Sequence, residues 1–312
     1  MTSTQAAEDI PRGIRPIGCP HCGSELVAVI HAEDCNRRIS RATFAYLRCE
    51  ECRCVSLRNV PSDLTRYYPE TYYDVPSTLV ELDRRTMGER YKIRLIQRWV
   101  TSGRLIEVGP AYGMFARVAQ QAGFEVDTIE MDARCCAFLR DIVGVGATLT
   151  DDVNGALDKS DAADVIAMWH VLEHLPSPRE TLATAASRLR PGGILILATP
   201  NPTALQFRLF GRYWTHLDAP RHLHLLSSTT VADHGRALGL EPLLVTMTDA
   251  GSLGWNSFGW AATLRNFFES RPLRAMAHLT GRVVNKLIAP VERRGERGSA
   301  YTIVLRRPAG AA

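Results

Sequence analysis

Residues 170–174 read His-Val-Leu-Glu-His, two imidazoles and a carboxylate at positions i, i+3 and i+4. On one helical face that spacing would aim His170, Glu173 and His174 at a single point and could hold a metal. The same string occurs in one class of zinc peptidases. Such a site needs a sustained helix and a third fixed ligand. Here Pro176 and Pro178 interrupt the segment within a turn of His174, and the apolar run ADVIAMW precedes it. The string therefore reads as a strand end entering a loop, and the peptidase reading is set aside. In that setting the three residues could take a proton, hold a cation or brace the loop.

A second set of chemically capable residues lies near the N-terminus. Six of the eight cysteines precede residue 55, among them Cys19-Pro-His-Cys22 and Cys49-Glu-Glu-Cys52. Two CxxC pairs 26 residues apart suit two knuckles closing a tetrahedral thiolate site around structural zinc. Gly23 supplies permissive backbone after the first pair. Cys35, Cys54, Cys135 and Cys136 read as small buried hydrophobes.

The elements that must position these residues follow from the pattern along the chain. Residues 1–16 read as a disordered tail, 17–60 as a zinc-ribbon-like module and 61–100 as connector or lid helices. Within that connector the stretch YYPETYY gathers Tyr67, Tyr68, Tyr72 and Tyr73. From residue 101 to 312, short apolar strands alternate with amphipathic helices: RLIEVG, FEVDTIE, GATLT, ADVIAMW and GGILILATP, with helices starting near Met114, Ala133 and Pro178. Such alternation predicts an α/β fold, a parallel sheet with helices on both faces. PLLVTMT and AYTIVLRR add two strands, separated by a helical insertion over 250–298. No solenoid or propeller repeat is present.

The 312 residues suffice for one substantial core and a small accessory module. With 46% apolar and 22% charged residues the composition is that of a soluble globular protein. No apolar run reaches the ~18 residues of a membrane span, and MTSTQAAEDIPRG lacks signal-peptide character. A cytoplasmic location is expected. The net charge of +4 is modest, but Leu264 to Arg307 holds ten Lys and Arg against three Glu. Residues 255–290 mix aromatic and basic side chains, which suits either a helical cap over the sheet or contact with the inner face of an anionic membrane.

The first strand of the α/β region ends in Glu107-Val-Gly109-Pro-Ala111-Tyr112-Gly113, small residues at alternate positions before a helix. This suggests a backbone that approaches a ligand, with the helix N-terminus facing it. Strand two ends in Glu130, 21 residues after Gly109, where a carboxylate can bind both hydroxyls of a ribose. Asp151 and Asp152 close strand three, where an acid could meet an adenine amino group. Three strand ends thus meet at the sheet edge where open α/β sheets bind ligands.

These motifs resemble the class I S-adenosylmethionine-dependent methyltransferases over residues 85–307. EVGPAYG looks like that family's first motif, with Ala111 in place of its middle glycine. WHVLEHLPSP, LRPGGILILATPN and FGRYWTHLDAPRHLHLLS resemble a bacterial branch that also carries an N-terminal cysteine module. The resemblance implies a doubly wound, Rossmann-like seven-stranded sheet whose last two strands form an antiparallel pair, with the helical insertion before the last strand. It implies that Glu107, Gly109, Ala111, Tyr112, Gly113, Glu130, Met131, Asp151, Asp152 and His170 bind S-adenosylmethionine. Members of the branch are linked to sugars, polysaccharides or secondary metabolites, an association that names no substrate.

Methyl transfer to a hydroxyl needs an in-line acceptor and a group to take its proton. His170, Glu173 and His174 follow strand four, and Asp218, Arg221, His222 and His224 follow strand five. The expected general base is His222 or His174, with Arg221 orienting an oxygen-rich or anionic acceptor. A divalent cation on Glu173, His174 and Asp218 is the variant in which a Lewis acid polarises the hydroxyl. The favoured partner is a small-molecule or glycan acceptor. An RNA methyltransferase is the alternative, disfavoured because the cysteine module carries neither a basic stripe nor a stacking platform. A non-catalytic module that binds the cofactor or a partner is the third reading. The oligomeric state is left open.

Overall fold

The computed structural model describes residues 18–310 apart from positions 26 and 70; the expected disordered tail, residues 1–16, lies outside the described residues. Strands β1 (Val27–Glu33) and β2 (Thr43–Cys49) form an antiparallel hairpin, and β3 (Val55–Leu57) pairs with β2. Helices α1 (Leu79–Arg85) and α2 (Arg90–Ile96) fill the connector; Thr78 caps α1 by accepting from the Glu81 N–H.

The strand–helix alternation then begins. It runs β4 (Gly103–Val108), α3 (Met114–Gln121), β5 (Phe124–Glu130), α4 (Ala133–Phe138), β6 (Gly146–Leu149), α5 (Val153–Lys159), β7 (Ala163–Trp169), α6 (Pro178–Arg188) and β8 (Leu189–Pro200). Side chains set several helix starts. Asp132 caps α4 and Asp152 caps α5, and Pro178 opens α6 where its missing N–H costs nothing. Beyond the sheet's parallel part come α7 (Leu205–Phe210), β9 (His224–Leu225), α8 (Ser228–Ala237) and β10 (Glu241–Thr246). The helical pair α9 (Ala250–Asn266) and α10 (Arg271–Glu292) and the last strand β11 (Ala300–Arg306) complete the chain.

The main sheet has the order β10-β11-β8-β7-β4-β5-β6, with β11 antiparallel to both its neighbours. Its central strands are buried on both faces, which is why β4, β7 and β8 read as continuous apolar runs. From β4 the chain builds outward to β6, then returns to lay β7 against β4's other side. That reversal opens a crevice at the carboxyl ends of β4 and β7.

The N-terminal strands are not a free-standing module. Their sheet has the order β1-β2-β3-β9, so it is completed by His224 and Leu225 from the far side of the chain. The insertion is a hairpin of α9 and α10 whose backbones touch at Gly281, where an added Cβ would stand 2.5 Å from Ala261 Cα. While α9 buries Trp260, Ala261 and Ala262, α10 leaves Leu273, Met276, Leu279, Val283 and Leu287 exposed. No helix among the described residues is long and apolar enough to cross a membrane.

Candidate active site

The loop after β4 owes its glycines to backbone and packing. Gly109, Ala111 and Gly113 all have positive φ (65°, 51° and 87°). A Cβ on Gly109 would lie 2.5 Å from Val171 Cγ2, and one on Gly113 2.5 Å from Leu139 Cδ2. The space a missing side chain leaves is thus filled by protein, while the backbone at Gly109 and Ala111 lines the crevice. Ala111 stays left-handed at a cost of about 1 kcal/mol. The Glu130 carboxylate helps hold it there, accepting from Ala111 N at 2.9 Å and from Met131 N and Asp132 N at 2.8 Å. Oε1 takes two of these bonds and Oε2 one, so Oε2 retains acceptor capacity for a hydroxyl.

Two cavities open at the crevice. One of about 320 Å³ is lined by Lys92, Glu107, Met114, Phe115 and Gly251. The other, of about 520 Å³, is lined by Tyr72, Tyr73, Glu173, His174, His222 and Arg265. They share Gly109, Ala111, Trp169, His170 and Trp255. In the smaller cavity Glu107 Oε2 is buried without a hydrogen-bond partner, and burial pushes its carboxyl up to about 8. Lys92 Nζ stands 4.6 Å from the Trp169 ring centre at the same wall, already paired with the carboxylate of Glu89. An orphaned carboxyl facing this space suits the ammonium of an amino-acid moiety.

Other expected cofactor residues, Glu130 and Gly113 among them, line neither cavity. Asp152 spends its carboxylate on the Gly155 N–H at the start of α5, and Asp151 beside it is exposed. Met131 is exposed beyond Glu130, and the Tyr112 hydroxyl faces Met114 Sδ at 3.7 Å.

The larger cavity gathers the histidines. His170 has positive φ (58°) at the end of β7, and its ring lies 4.5 Å from that of Trp255. A short turn over Leu172–His174 replaces the helix that a peptidase would need. Glu173 is 1% exposed: Oε2 accepts from Thr199 Oγ1 at 3.0 Å, while Oε1 lacks a hydrogen bond and lies 3.4 Å from His170 Nδ1. His174 Nδ1 contacts Arg221 O at 3.0 Å and Tyr68 Oη at 3.0 Å, and His222 Nδ1 contacts His216 O at 2.8 Å. A carbonyl can only accept, so Nδ1 carries a proton on both rings and Nε2 is the nitrogen left to accept one. One ligand atom each from Glu173, His174 and His222 fall within 4.8 Å of one another. Burial and His222 lower His174 to about 4; burial alone would raise Glu173, but His170 beside its Oε1 outweighs it and holds the carboxyl at about 2.

Asp218 lines the larger cavity, whereas Arg221 is placed differently from expectation. Arg221 is 0% exposed, donating to Asp34 (2.7 Å) and to both Asp218 oxygens (2.7 and 2.8 Å). Four of its five N–H groups are engaged and it does not line the cavity, which sets it back from an acceptor held there. Asp218 also receives Asn36 Nδ2, which leaves His222 in the position expected for Asp218 beside Glu173 and His174. What Arg221 does is join the N-terminal sheet to the histidine loop, and Tyr46 Oη adds a 3.0 Å bond to His222 O. His224 turns away from the cluster, Nδ1 meeting Ser56 Oγ at 3.1 Å. Sequence reasoning missed Asn36, Arg37, Trp255 and Arg265 as lining residues. Tyr72 and Tyr73 were signalled only by the density of tyrosine in YYPETYY.

The two cysteine knuckles meet. Cys19 Sγ lies 3.6 Å from Cys52 Sγ, and Cys22 Sγ 3.6 Å from Cys49 Sγ. Thiolates bound to one tetrahedral zinc at ~2.3 Å stand about 3.8 Å apart, whereas a disulfide needs about 2.05 Å. Backbone N–H groups of His21 and Cys52 point at Cys19 and Cys49 sulfurs at 3.5 Å, and Gly23 (φ 79°) turns the first knuckle. The donor set fits zinc.

A seven-stranded sheet with this order, an acid ending β5 and a cavity beside the orphaned acid of β4 define a class I S-adenosylmethionine-dependent methyltransferase. Residues 83–245, just over half the chain, match the family described as a methyltransferase domain, and the chain belongs to that family. It is 24% identical over 151 residues to the ubiquinone biosynthesis O-methyltransferase of Bordetella avium (strain 197N), covering 45% of this chain and 62% of that protein. It is 32% identical over 108 residues to the enzyme of the same name from Paramagnetospirillum magneticum, covering 34% and 43%. The chain thus spans between two fifths and two thirds of the length of these relatives. Among solved structures, a putative methyltransferase from Bacillus halodurans C-125 superposes with a TM-score of 0.49 at 14% identity, covering 70% of this chain and 99% of that one.

Proposed function

We propose that the chain transfers the methyl group of S-adenosylmethionine to a hydroxyl of a sugar, glycan or secondary-metabolite acceptor held in the larger cavity. The observation that carries this reading is the convergence of His174, His222 and Glu173 in a cavity that meets the cofactor-side cavity at His170. When bound, the cofactor supplies a methyl group on a sulfonium that leaves readily. Glu107 holds its ammonium and Glu130 Oε2 a ribose hydroxyl. Trp169, Trp255 and Tyr73 wall the meeting point from water. Nε2 of His222 or His174 accepts the proton of the hydroxyl as the methyl arrives. Relatives named as O-methyltransferases support oxygen as the acceptor atom.

The test is a screen with labelled cofactor over nucleotide sugars, lipid-linked sugars, phenolics and RNA. His222→Gln is expected to lower kcat by about 10²-fold or more, the usual worth of a positioned base, with cofactor affinity unchanged. Labelling of RNA alone would overturn the acceptor class, and failure of the chain to bind S-adenosylmethionine would overturn the reading entirely.

The close approach of one atom each from Glu173, His174 and His222 favours a second role for the same cluster, as a site for a divalent cation. Such a cation would polarise the acceptor hydroxyl as a Lewis acid. The four N-terminal thiolates are proposed to hold structural zinc, with no open coordination position. Metal analysis is expected to find about one tightly held zinc per chain, lost in Cys49→Ser. Added Mg²⁺ or Mn²⁺ should raise the activity of chelator-treated protein that retains its zinc, but not that of His222→Gln. Activity indifferent to both ions leaves the histidines as bases alone; zinc absent from the wild-type chain sinks the thiolate proposal.

A further inference from the structure

One edge of the larger cavity takes no part in the histidine cluster. Arg265, in the last turn of α9, lines it together with Asn36, Arg37 and Tyr72. Its side chain is half-buried, and its Nε is buried without a hydrogen-bond partner. Burial lowers its pKa, and the charges that add to this, Arg274 and Arg38, share its sign. Arg37 sits 4.0 Å above the centre of the Tyr72 ring. Among the described residues neither Arg37 nor Arg265 has a carboxylate at ion-pair distance, whereas buried Arg221 has two and Arg104 three. At Arg265 a partly desolvated guanidinium without a counter-ion is a costly arrangement that an incoming anion relieves, and exposed Arg37 adds charge at the same edge.

We infer that Arg265 and Arg37 form an anion subsite, which holds a phosphate or carboxylate of the acceptor while its hydroxyl lies at His174 and His222. The inference rests on the reading of this cavity as the acceptor's. Both anions match the planar fork of arginine, which can bind either through two parallel hydrogen bonds. Tyr72, stacked beneath Arg37, limits the freedom of that side chain and so the entropy lost on binding. The acceptor then belongs to the anionic members of the proposed class, a phosphorylated or nucleoside-diphosphate-linked sugar or a sugar or phenolic acid.

The test uses the full chain saturated with S-adenosylhomocysteine, so that the cofactor's carboxylate site is filled. Inorganic pyrophosphate and malonate are then titrated by calorimetry. Saturable binding that weakens with added salt is expected for at least one of them. Arg265→Gln should weaken it tenfold or more, Arg265→Lys less, and Arg282→Gln, on the exposed side of α10, not at all. A preference for pyrophosphate identifies a phosphorylated acceptor, and a preference for malonate a carboxylated one. Absence of binding to both anions overturns the inference, as does binding that survives in a folded Arg265→Gln. If S-adenosylhomocysteine itself fails to bind, the function reading fails, and the anion titration on the unliganded chain still decides the subsite.

Discussion

Arg221→Met is expected to cost about 3–5 kcal/mol of stability, the loss that follows removal of one partner from a buried ion cluster. Total stabilities of about 5–15 kcal/mol make that a large fraction of the whole. The reason is what remains behind. Asp34 and Asp218 would keep two carboxylates without a counter-ion, Asp34 in a fully buried position. Asp34→Asn should cost less, because Asp218 still neutralises the guanidinium. Replacing all three groups by neutral ones should cost less than Arg221→Met alone, since the desolvation of every charge is relieved together. Urea titration of the four proteins checks the order. Equal losses in Arg221→Met and the triple variant would show that packing, not charge, is at issue. Activity should fall further than stability in Arg221→Met under conditions where it stays folded. Asp218 holds a left-handed turn (φ 38°) just ahead of His222, and Asp34 ties that turn to the first sheet.

The same joint shows where sequence reasoning stops. The β/α alternation was legible because central strands buried on both faces must be apolar from end to end, and the chain supplies three of them in register with helix starts at Met114, Ala133 and Pro178. The paired CxxC knuckles were legible because a thiolate site fixes its spacing locally. Arg221 was not. Its meaning depends on Asp34, 187 positions away, and nothing near Arg221 distinguishes a buried clamp from a cavity-facing cation. Arg265 was hidden for the converse reason, lying among the basic residues of an insertion whose two helices differ in burial. Asp152 illustrates competition between roles: an acid after a strand serves a ligand or caps the next helix, and here the Gly155 N–H takes it. The completion of the N-terminal sheet by β9 is a long-range pairing of two residues, too short to leave a periodic signal.

Binding of S-adenosylmethionine is expected to release close to one proton at pH 7, and Glu107 is its source. The carboxyl is wholly buried, and burial raises it to about 8, so most free protein carries it protonated at neutral pH. An ammonium placed at the orphaned Oε2 favours the carboxylate, and the proton leaves. Affinity should therefore climb with pH from about 6 toward 8, by up to about tenfold per unit well below the raised pKa. Stability of the free protein runs the other way. A carboxyl whose folded pKa exceeds its unfolded value stabilises the fold fully only at low pH, and that contribution fades as pH rises from about 4.5 through about 8. Glu107→Gln removes both trends while keeping the side chain's volume. It should weaken cofactor binding by about 10- to 150-fold, the worth of one charge-assisted hydrogen bond of roughly 1.5–3 kcal/mol. Calorimetry in buffers of different ionisation enthalpy reads the proton directly. Tight, proton-neutral binding by both proteins would place the ammonium elsewhere, and would leave the buried Glu107 carboxyl without a ligand to explain it.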